Sequence, residues 1–387
     1  MSFLLSSFGG ALQRELDGFF AAVAGHSALV RQVTKSALSQ ARKKLKASVF
    51  EALNGLLIAH AQGAGGERWR GFRLVAADST TLRLPDRPAL WQAFGQNSDS
   101  AGAPYCLARA LGLYAVGSRL MLAARLGAFA RDERSLLAEL VPALRADDLL
   151  LLDRGFPALW LFGMLQAAGH HFCARIDAGG WPAVQAFLDS GLAEQCVSLH
   201  GGPAARRRCR ELGVSLQGPR LRLIRVPLPS GQIEVLATSL HDAQQYPAGE
   251  FCALYAQRWA IEEWFKLLKC RLAVEHFGGE SPLAIEQEFH ARLLLANVAA
   301  VLAASAQAQR APDARQRSQP NLAYALSALR RLLPRWLLVP ACANAKAIGA
   351  LLDLLARTVE RQRPGRSYPR KRPLVKPRRF RAYKPCS

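Results

Sequence analysis

A chain of 387 residues, half of them hydrophobic, is long enough to bury a sizeable core in roughly two or three lobes. Against 29 Asp and Glu stand 51 Lys and Arg, a formal net charge of +22 with a pI near 10.4. An Arg-rich genome inflates a pI but does not by itself create such an excess, so a polyanionic partner is expected, nucleic acid being the commonest. The start, MSFLLSSFGGALQRELDGFF, lacks a basic segment before its apolar run and soon meets Arg14, Glu15 and Asp17, which argues against a signal peptide. Residues 1–62 read as a helical DNA-binding region. Within it VTKSALSQARKKLKASVFEAL offers Thr34 or Ser36 as an N-cap. The basic run of Arg42, Lys43 and Lys44 fits a helix lying on DNA, and equally a solvated helical face. Gly63 to Gly66 reads as a linker.

Residues 68–176 follow another grammar. FRLVAADSTTLRL predicts a strand whose apolar residues run up to Asp78. CLARALGLYAVGSRLMLAARLGA predicts a hairpin about Gly117-Ser118. DERSLLAELVPALRADD predicts a helix that Pro142 kinks or ends. LLLLDRGF is a short apolar run ending at Asp153, the pattern of a buried parallel strand. PALWLFGMLQAAG predicts a helix with Pro at its start, and HHFCARI a further strand. Strand, hairpin, helix, strand, helix, strand is the order of the ribonuclease H-like fold, so the expected class is α/β with that core.

Residues 177–240 break the alternation. RLRLIRVPLPSGQIEVLATSL predicts a hairpin about Pro229-Ser230-Gly231, inside a β-rich insertion that also holds the basic ARRRCR. Residues 241–310 return to helices as the second part of the core, and 311–360 form a C-terminal helical region. Residues 361–387 hold 11 Lys and Arg and no acid, so a basic tail that binds polyanions without sequence preference is expected there. Two windows low in charge, Arg154 to Arg175 and Leu293 to Gln309, suit buried elements better than membrane spans. The eight cysteines are scattered with no C-x-x-C pair, which argues against a zinc ribbon and for reduced thiols in a cytoplasmic protein.

Asp78 and Asp153 each stand where an apolar strand is expected to end, the place where α/β sheets gather functional groups. On neighbouring strands the two carboxylates would repel unless a cation lay between them. Mg²⁺ suits such a pair, because it takes carboxylate oxygens and bridges phosphates. Asp86, Asp147 and Asp148 lie in turn-like stretches and read as turn or cap residues.

YAQRWAIEEWFKLLKC, residues 255 to 270, reads as one helix. At roughly 100° per residue, with Tyr255 at zero, Arg258 falls at about −60°, Glu262 at about −20° and Lys269 at about −40°. Ile261, Trp264, Phe265, Leu268 and Leu272 cover the adjoining arc of about 100° that faces the core. Glu262 therefore lies at the edge of the buried face, while Glu263 is a solvated charge. A set of ion pairs along a helix would give the same stripe.

The spacing Tyr255-x2-Arg258-x3-Glu262-x6-Lys269 resembles the Y-x(2)-R-x(3)-E-x(6)-K signature of a group of cut-and-paste insertion-sequence transposases in the DDE transposase superfamily. LVAADSTTLRLPD and LLLLDRGF resemble the two aspartate blocks of that group, and TKSALSQARKKL and RPGRSYPRK also look like it. Ser79 departs from the Gly that many relatives carry after the first aspartate. The resemblance implies Asp78, Asp153 and Glu262 as a catalytic triad binding Mg²⁺ or Mn²⁺, two ions in all. It implies that Tyr255, Arg258 and Lys269 contact the DNA. The implied partners are double-stranded DNA, as terminal inverted repeats and target, and a second copy of the chain, in a bacterial, nucleoid-associated setting with no membrane. A catalytically silent DNA-binding relative and a metal-dependent nuclease without strand transfer are the alternatives.

Overall fold

The computed structural model describes residues 1–6, 10–61, 66–98, 102–228 and 230–361. Most of the expected linker and the basic tail beyond residue 361 lie outside the described residues, as does Pro229 of the expected turn. The chain divides into two compact units. The helical unit is made of residues 1–61, 81–108 and 266–387, and the sheet unit of residues 62–80 and 109–265.

The helical unit opens with α1 (Ser2–Ser6), α2 (Leu12–Ala24), α3 (Lys35–Arg42) and α4 (Ser48–Ala61). Thr34 caps α3, its hydroxyl accepting from the Ala37 amide at 3.2 Å. The basic run that follows is not uniform. Lys43 and Lys44 are exposed, whereas Arg42 is buried and spends its donors inside the unit, on Gln287, Glu288 and the Ala284 carbonyl. Three of the five guanidinium N–H donors are thus used inside the unit, and Lys43 and Lys44 are the exposed members of the run.

The first sheet strand, β1 (Arg73–Leu84), starts in the sheet unit and ends in the helical one. After it come α5 (Pro88–Phe94), β2 (Gln96–Ser98), β3 (Pro104–Ala115), β4 (Leu120–Ala128), α6 (Glu133–Leu140), β5 (Asp148–Leu152), α7 (Leu159–Ala167) and β6 (His171–Ile176). In the insertion lie α8 (Pro182–Asp189), β7 (Glu194–Ser198), α9 (Pro203–Glu211), β8 (Arg220–Pro227) and β9 (Ile233–Thr238). Next are α10 (Phe251–Ala256) and α11 (Trp259–Cys270), then in the helical unit α12 (Pro282–Ala308), α13 (Pro312–Arg317), β10 (Ser318–Pro320), α14 (Leu322–Leu338), α15 (Ala345–Arg357) and β11 (Val359–Arg361).

In the sheet unit the strand order is β4-β3-β1-β5-β6-β9-β8-β7. β5 is parallel to both neighbours, with Arg73 to Ala77 of β1 in register with Asp148 to Leu152. Its Leu149 to Leu152 are wholly buried, as a parallel strand covered on both faces must be. The two-residue period sorts the strands onto two cores. Val75, Ala77, Leu150 and Leu152 pack with Leu136, Leu137, Leu161 and Phe162 of α6 and α7. On the other face Leu74, Leu149 and Leu151 pack with Phe251, Leu254 and Tyr255 of α10. Pro142 ends α6 as expected: the helix stops at Leu140 and the chain tightens into a 3₁₀ turn over Val141–Ala143.

Three expectations are refined. β1 does not end at Asp78 but runs on to Leu84; what ends there is its parallel pairing with β5. The β-rich insertion continues the same sheet, because β9 pairs antiparallel with β6, and it also carries two helices. Asp148 is more than a turn residue: it closes the turn from Arg145, opens β5, is 1 % exposed, and takes both Nε and Nη2 of Arg73 at 2.6 and 2.7 Å.

The 27-residue α12 is long and apolar enough to cross a membrane by length and composition alone. Two-thirds of its apolar window is buried inside the protein, and Gln287, Glu288, His290, Arg292 and Asn297 are buried along it. It packs on α4, α14 and α15 of the same unit.

Candidate active site

The ladder between β1 and β5 closes at Ala77 and Leu152, so the next residues are Asp78 on β1 and Asp153 just past the end of the adjacent parallel β5. The Asp78 Oδ1 accepts from the Ser79 amide at 2.8 Å, a short-range bond that fixes the rotamer of the carboxylate. Asp153 accepts from the Tyr255 hydroxyl at 3.4 Å.

Residues 255 to 270 are not one helix. α10 stops at Ala256, Gln257 and Arg258 form a turn, and α11 starts at Trp259. The amides of Gln257, Arg258, Ala260 and Ile261 each bond to a carbonyl three residues back. Such bonds wind the chain more tightly than an α-helix, with about three residues per turn. Arg258 is thereby set over the Tyr255 ring, its Cζ 5.8 Å from the centroid, and 5.7 Å from that of Trp259. Tyr255 is buried and Trp259 is 44 % exposed.

Arg258 is only 4 % exposed. Its Nη2 donates to Glu262 Oε1 at 2.8 Å and its Nη1 to Asp78 Oδ2 at 3.4 Å, while the buried Nε has no partner. Burial works against the guanidinium charge, but Tyr255, Glu262, Asp153 and Asp78 outweigh it and hold the group above its ordinary range. Asp78 shows the converse. Burial pushes its carboxyl up to about 6, the charges of Glu262 and Asp153 add to this, and the Ser79 amide and Arg258 oppose it. More acid is gathered here than one guanidinium neutralises.

Five of the expected residues, Asp78, Asp153, Tyr255, Arg258 and Glu262, thus meet in the sheet unit. Glu262 is half-buried and Glu263 exposed, as the helical phase implied. Lys269, farther along α11, belongs to the helical unit, where its Nζ donates to the Thr81 carbonyl at 2.6 Å. Arg42, Lys43 and Lys44 also belong to the helical unit. The sequence reading passed over Glu133, which accepts from the Ser79 hydroxyl at 2.7 Å. An acid in the first turn of a helix is too ordinary to stand out.

Among the described residues no three His, Cys, Asp or Glu converge as they would around a bound metal ion. The donor set nevertheless fits one. All its atoms are carboxylate oxygens, the ligands of hard divalent cations, and a cationic group already lies between two of them.

The family model described as "Transposase DDE domain" matches residues 69–298. The transposase InsG for insertion sequence element IS4 of Escherichia coli (strain K12) is 28 % identical over 274 residues, 69 % of this chain and 60 % of the relative. The chain therefore spans well under two-thirds of the length of that curated relative. A piggyBac transposase, solved as a synaptic complex with hairpin DNA, aligns at 11 % identity with a TM-score of 0.43, over 76 % of this chain and 59 % of that one. The family match takes in both aspartate-bearing strands, the guanidinium and the glutamate, and the chain belongs to the Transposase DDE domain family.

Proposed function

We propose that this chain is a DNA transposase that breaks and joins DNA by metal-dependent phosphoryl transfer, with Asp78, Asp153 and Glu262 as its metal-binding carboxylates. One observation carries the reading: Asp78 and Asp153 directly follow the last pairing of two adjacent parallel strands, and a single buried arginine bridges Asp78 to Glu262. The family match and the insertion-sequence relative support it. A ribonuclease H-like core is supported by the order β4-β3-β1-β5-β6, in which an antiparallel hairpin precedes two parallel strands.

Mg²⁺ or Mn²⁺, one ion or two, bound by these carboxylates would supply Lewis-acid stabilisation of phosphate oxygens and favour ionisation of the attacking water or 3′-hydroxyl. This chain's own groups do the rest. The Ser79 amide holds one Asp78 oxygen, leaving the other to face Arg258. Tyr255 orients Asp153. Arg258 has a planar fork that suits a phosphate as well as a carboxylate. Lys269, with the exposed Lys43 and Lys44, adds charge for the DNA backbone.

The substrates on this reading are the terminal inverted repeats of an insertion sequence and a target duplex. Each end is nicked by hydrolysis, and the new 3′-hydroxyl attacks a second phosphodiester. Two ends must be held at once, so a homodimer is the working assembly. The test is cleavage of a terminal-repeat duplex with Mg²⁺ or Mn²⁺. Asp153→Ala is expected to abolish it, and wild-type cleavage by that variant would overturn the reading. Cleavage without joining to a target duplex would make the chain a nuclease instead.

A further inference from the structure

Asp78 and Asp153 stand one residue beyond the last backbone pairing between their strands, so the parallel ladder does not itself hold them apart. Two carboxylates in that position push against each other. Glu133, in the first turn of α6, bonds the residue after Asp78 and lies beside the loop after Asp153. Its Oε1 accepts from the Ser79 hydroxyl at 2.7 Å, and the amide of the same Ser79 holds Asp78. Its Oε2 lies over Gly155, two residues after Asp153, close enough that a Cβ there would come within 3.4 Å of it.

Glu133 is anchored in turn. Arg109 of β3 pairs with Oε1 at 2.5 Å and also donates to the Phe129 carbonyl after β4, at 3.3 Å from Nε and 3.1 Å from Nη2. The start of α6 is fixed by Asp132, whose side chain accepts from the Ser135 amide at 3.2 Å. Ser79 of β1 and Arg109 of β3 therefore meet on one carboxylate, and Arg109 ties it to the turn after β4. Its Oε1 is already shared by a hydroxyl and a guanidinium, which makes Glu133 a poor metal ligand and a good brace.

We infer that Glu133 is a positioning residue that sets the geometry of Asp78 through Ser79, an inference that rests on the metal-binding reading of the triad. Ser79, the residue after Asp78, is part of the device. The reach from Ser79 to Glu133 needs a hydroxyl, which Gly lacks.

The experiment is titration of Mn²⁺ into DNA-free protein, with free Mn²⁺ followed by electron paramagnetic resonance. Metal-free melting temperatures are recorded alongside. Ser79→Ala and Glu133→Ala are each expected to weaken Mn²⁺ binding by about tenfold or more, the usual cost of losing a group that orients a ligand. Glu133→Gln keeps an acceptor for the Ser79 hydroxyl and is expected to stay within about threefold of the parent, less than the Glu133→Ala loss. Asp78→Asn is expected to abolish binding. If Asp78→Asn does so while Ser79→Ala and Glu133→Ala bind as the parent does, the brace is wrong and the triad stands. If Asp78→Asn binds as the parent does, the triad reading falls and the brace with it. Equal losses in Glu133→Gln and Glu133→Ala would also overturn the brace, since charge and not hydrogen bonding would be the cause. Should Glu133→Ala fail to fold, Ser79→Ala decides alone.

Discussion

The two ends of the β1–β5 ladder use the same residue types for opposite purposes. At one end Arg73 and Asp148 face each other in register, and both Asp148 oxygens are taken, Oδ1 by Arg73 Nε and Oδ2 by Arg73 Nη2 and the Arg145 amide. At the other end, one step past Ala77 and Leu152, two aspartates meet and neither strand supplies a cation in register. The cation there is Arg258, whose Nη1 lies 3.4 Å from Asp78, and the Asp78 carboxyl is pushed up to about 6 by burial. A carboxylate with its own bidentate arginine is a folding device. Carboxylates that share one arginine leave charge to be met from outside, and that imbalance marks a site.

The largest expected effect tests the second end alone. Glu262→Gln should abolish cleavage, a loss of about a thousandfold or more, while DNA affinity changes by no more than a few-fold. Glu263→Gln should leave cleavage near the parent rate, because that residue is exposed on another face of α11. Steady-state cleavage and a gel-shift titration of the same proteins separate the outcomes. A larger loss from Glu263 than from Glu262 would put the site on the wrong face of the helix.

The next prediction sets one end against the other. Asp148→Asn leaves Arg73 in a buried place without its counter-charge, and should cost about 3 kcal/mol or more of stability, read from the urea midpoint. Asp78→Asn should cost far less, since Arg258 keeps Glu262. It also has a pH signature. A carboxyl whose folded pKa is raised stabilises the fold at pH below its unfolded value, and that contribution disappears as pH rises through about 6. The stability of Asp78→Asn relative to the parent should therefore improve between pH 4 and 7. A relative stability that is flat or falls over that range would mean that Asp78 is not held against its charge.

Much of this geometry was legible because the sheet obeys simple periodicity. Leu149 to Leu152 form an uninterrupted apolar run, and such a run is buried on both faces. An acid following each of two such runs is the feature that a reader can find. The rest depended on contacts between distant residues. Nothing in Asp148 itself distinguishes a turn acid from a buried partner of Arg73. β9 joins β6 through pairing that local pattern does not encode. The break at Gln257 and Arg258 carries no Gly or Pro, so uniform helical winding was the natural expectation. The stripe is nevertheless preserved, because a tighter turn still returns Arg258 over Tyr255. Glu133 was invisible because its role comes from where Ser79 and Arg109 lie in space.

The smallest effect separates a basic run into two kinds of residue, as the ladder separates two kinds of acid. Arg42, Lys43 and Lys44 are consecutive, but only the lysines are exposed. Arg42 holds Glu288 at 3.0 Å and Gln287 at 2.9 Å. Arg42→Ala should therefore lower the melting temperature, since it strips a buried carboxylate of a partner. Lys43→Ala with Lys44→Ala should leave the melting temperature alone and weaken DNA binding a few-fold at moderate salt. If both lysines lie on phosphates, the slope of log affinity against log salt should fall by about two. An unchanged slope in the double variant would return the basic run after α3 to the reading of a solvated face, with the polyanion held elsewhere.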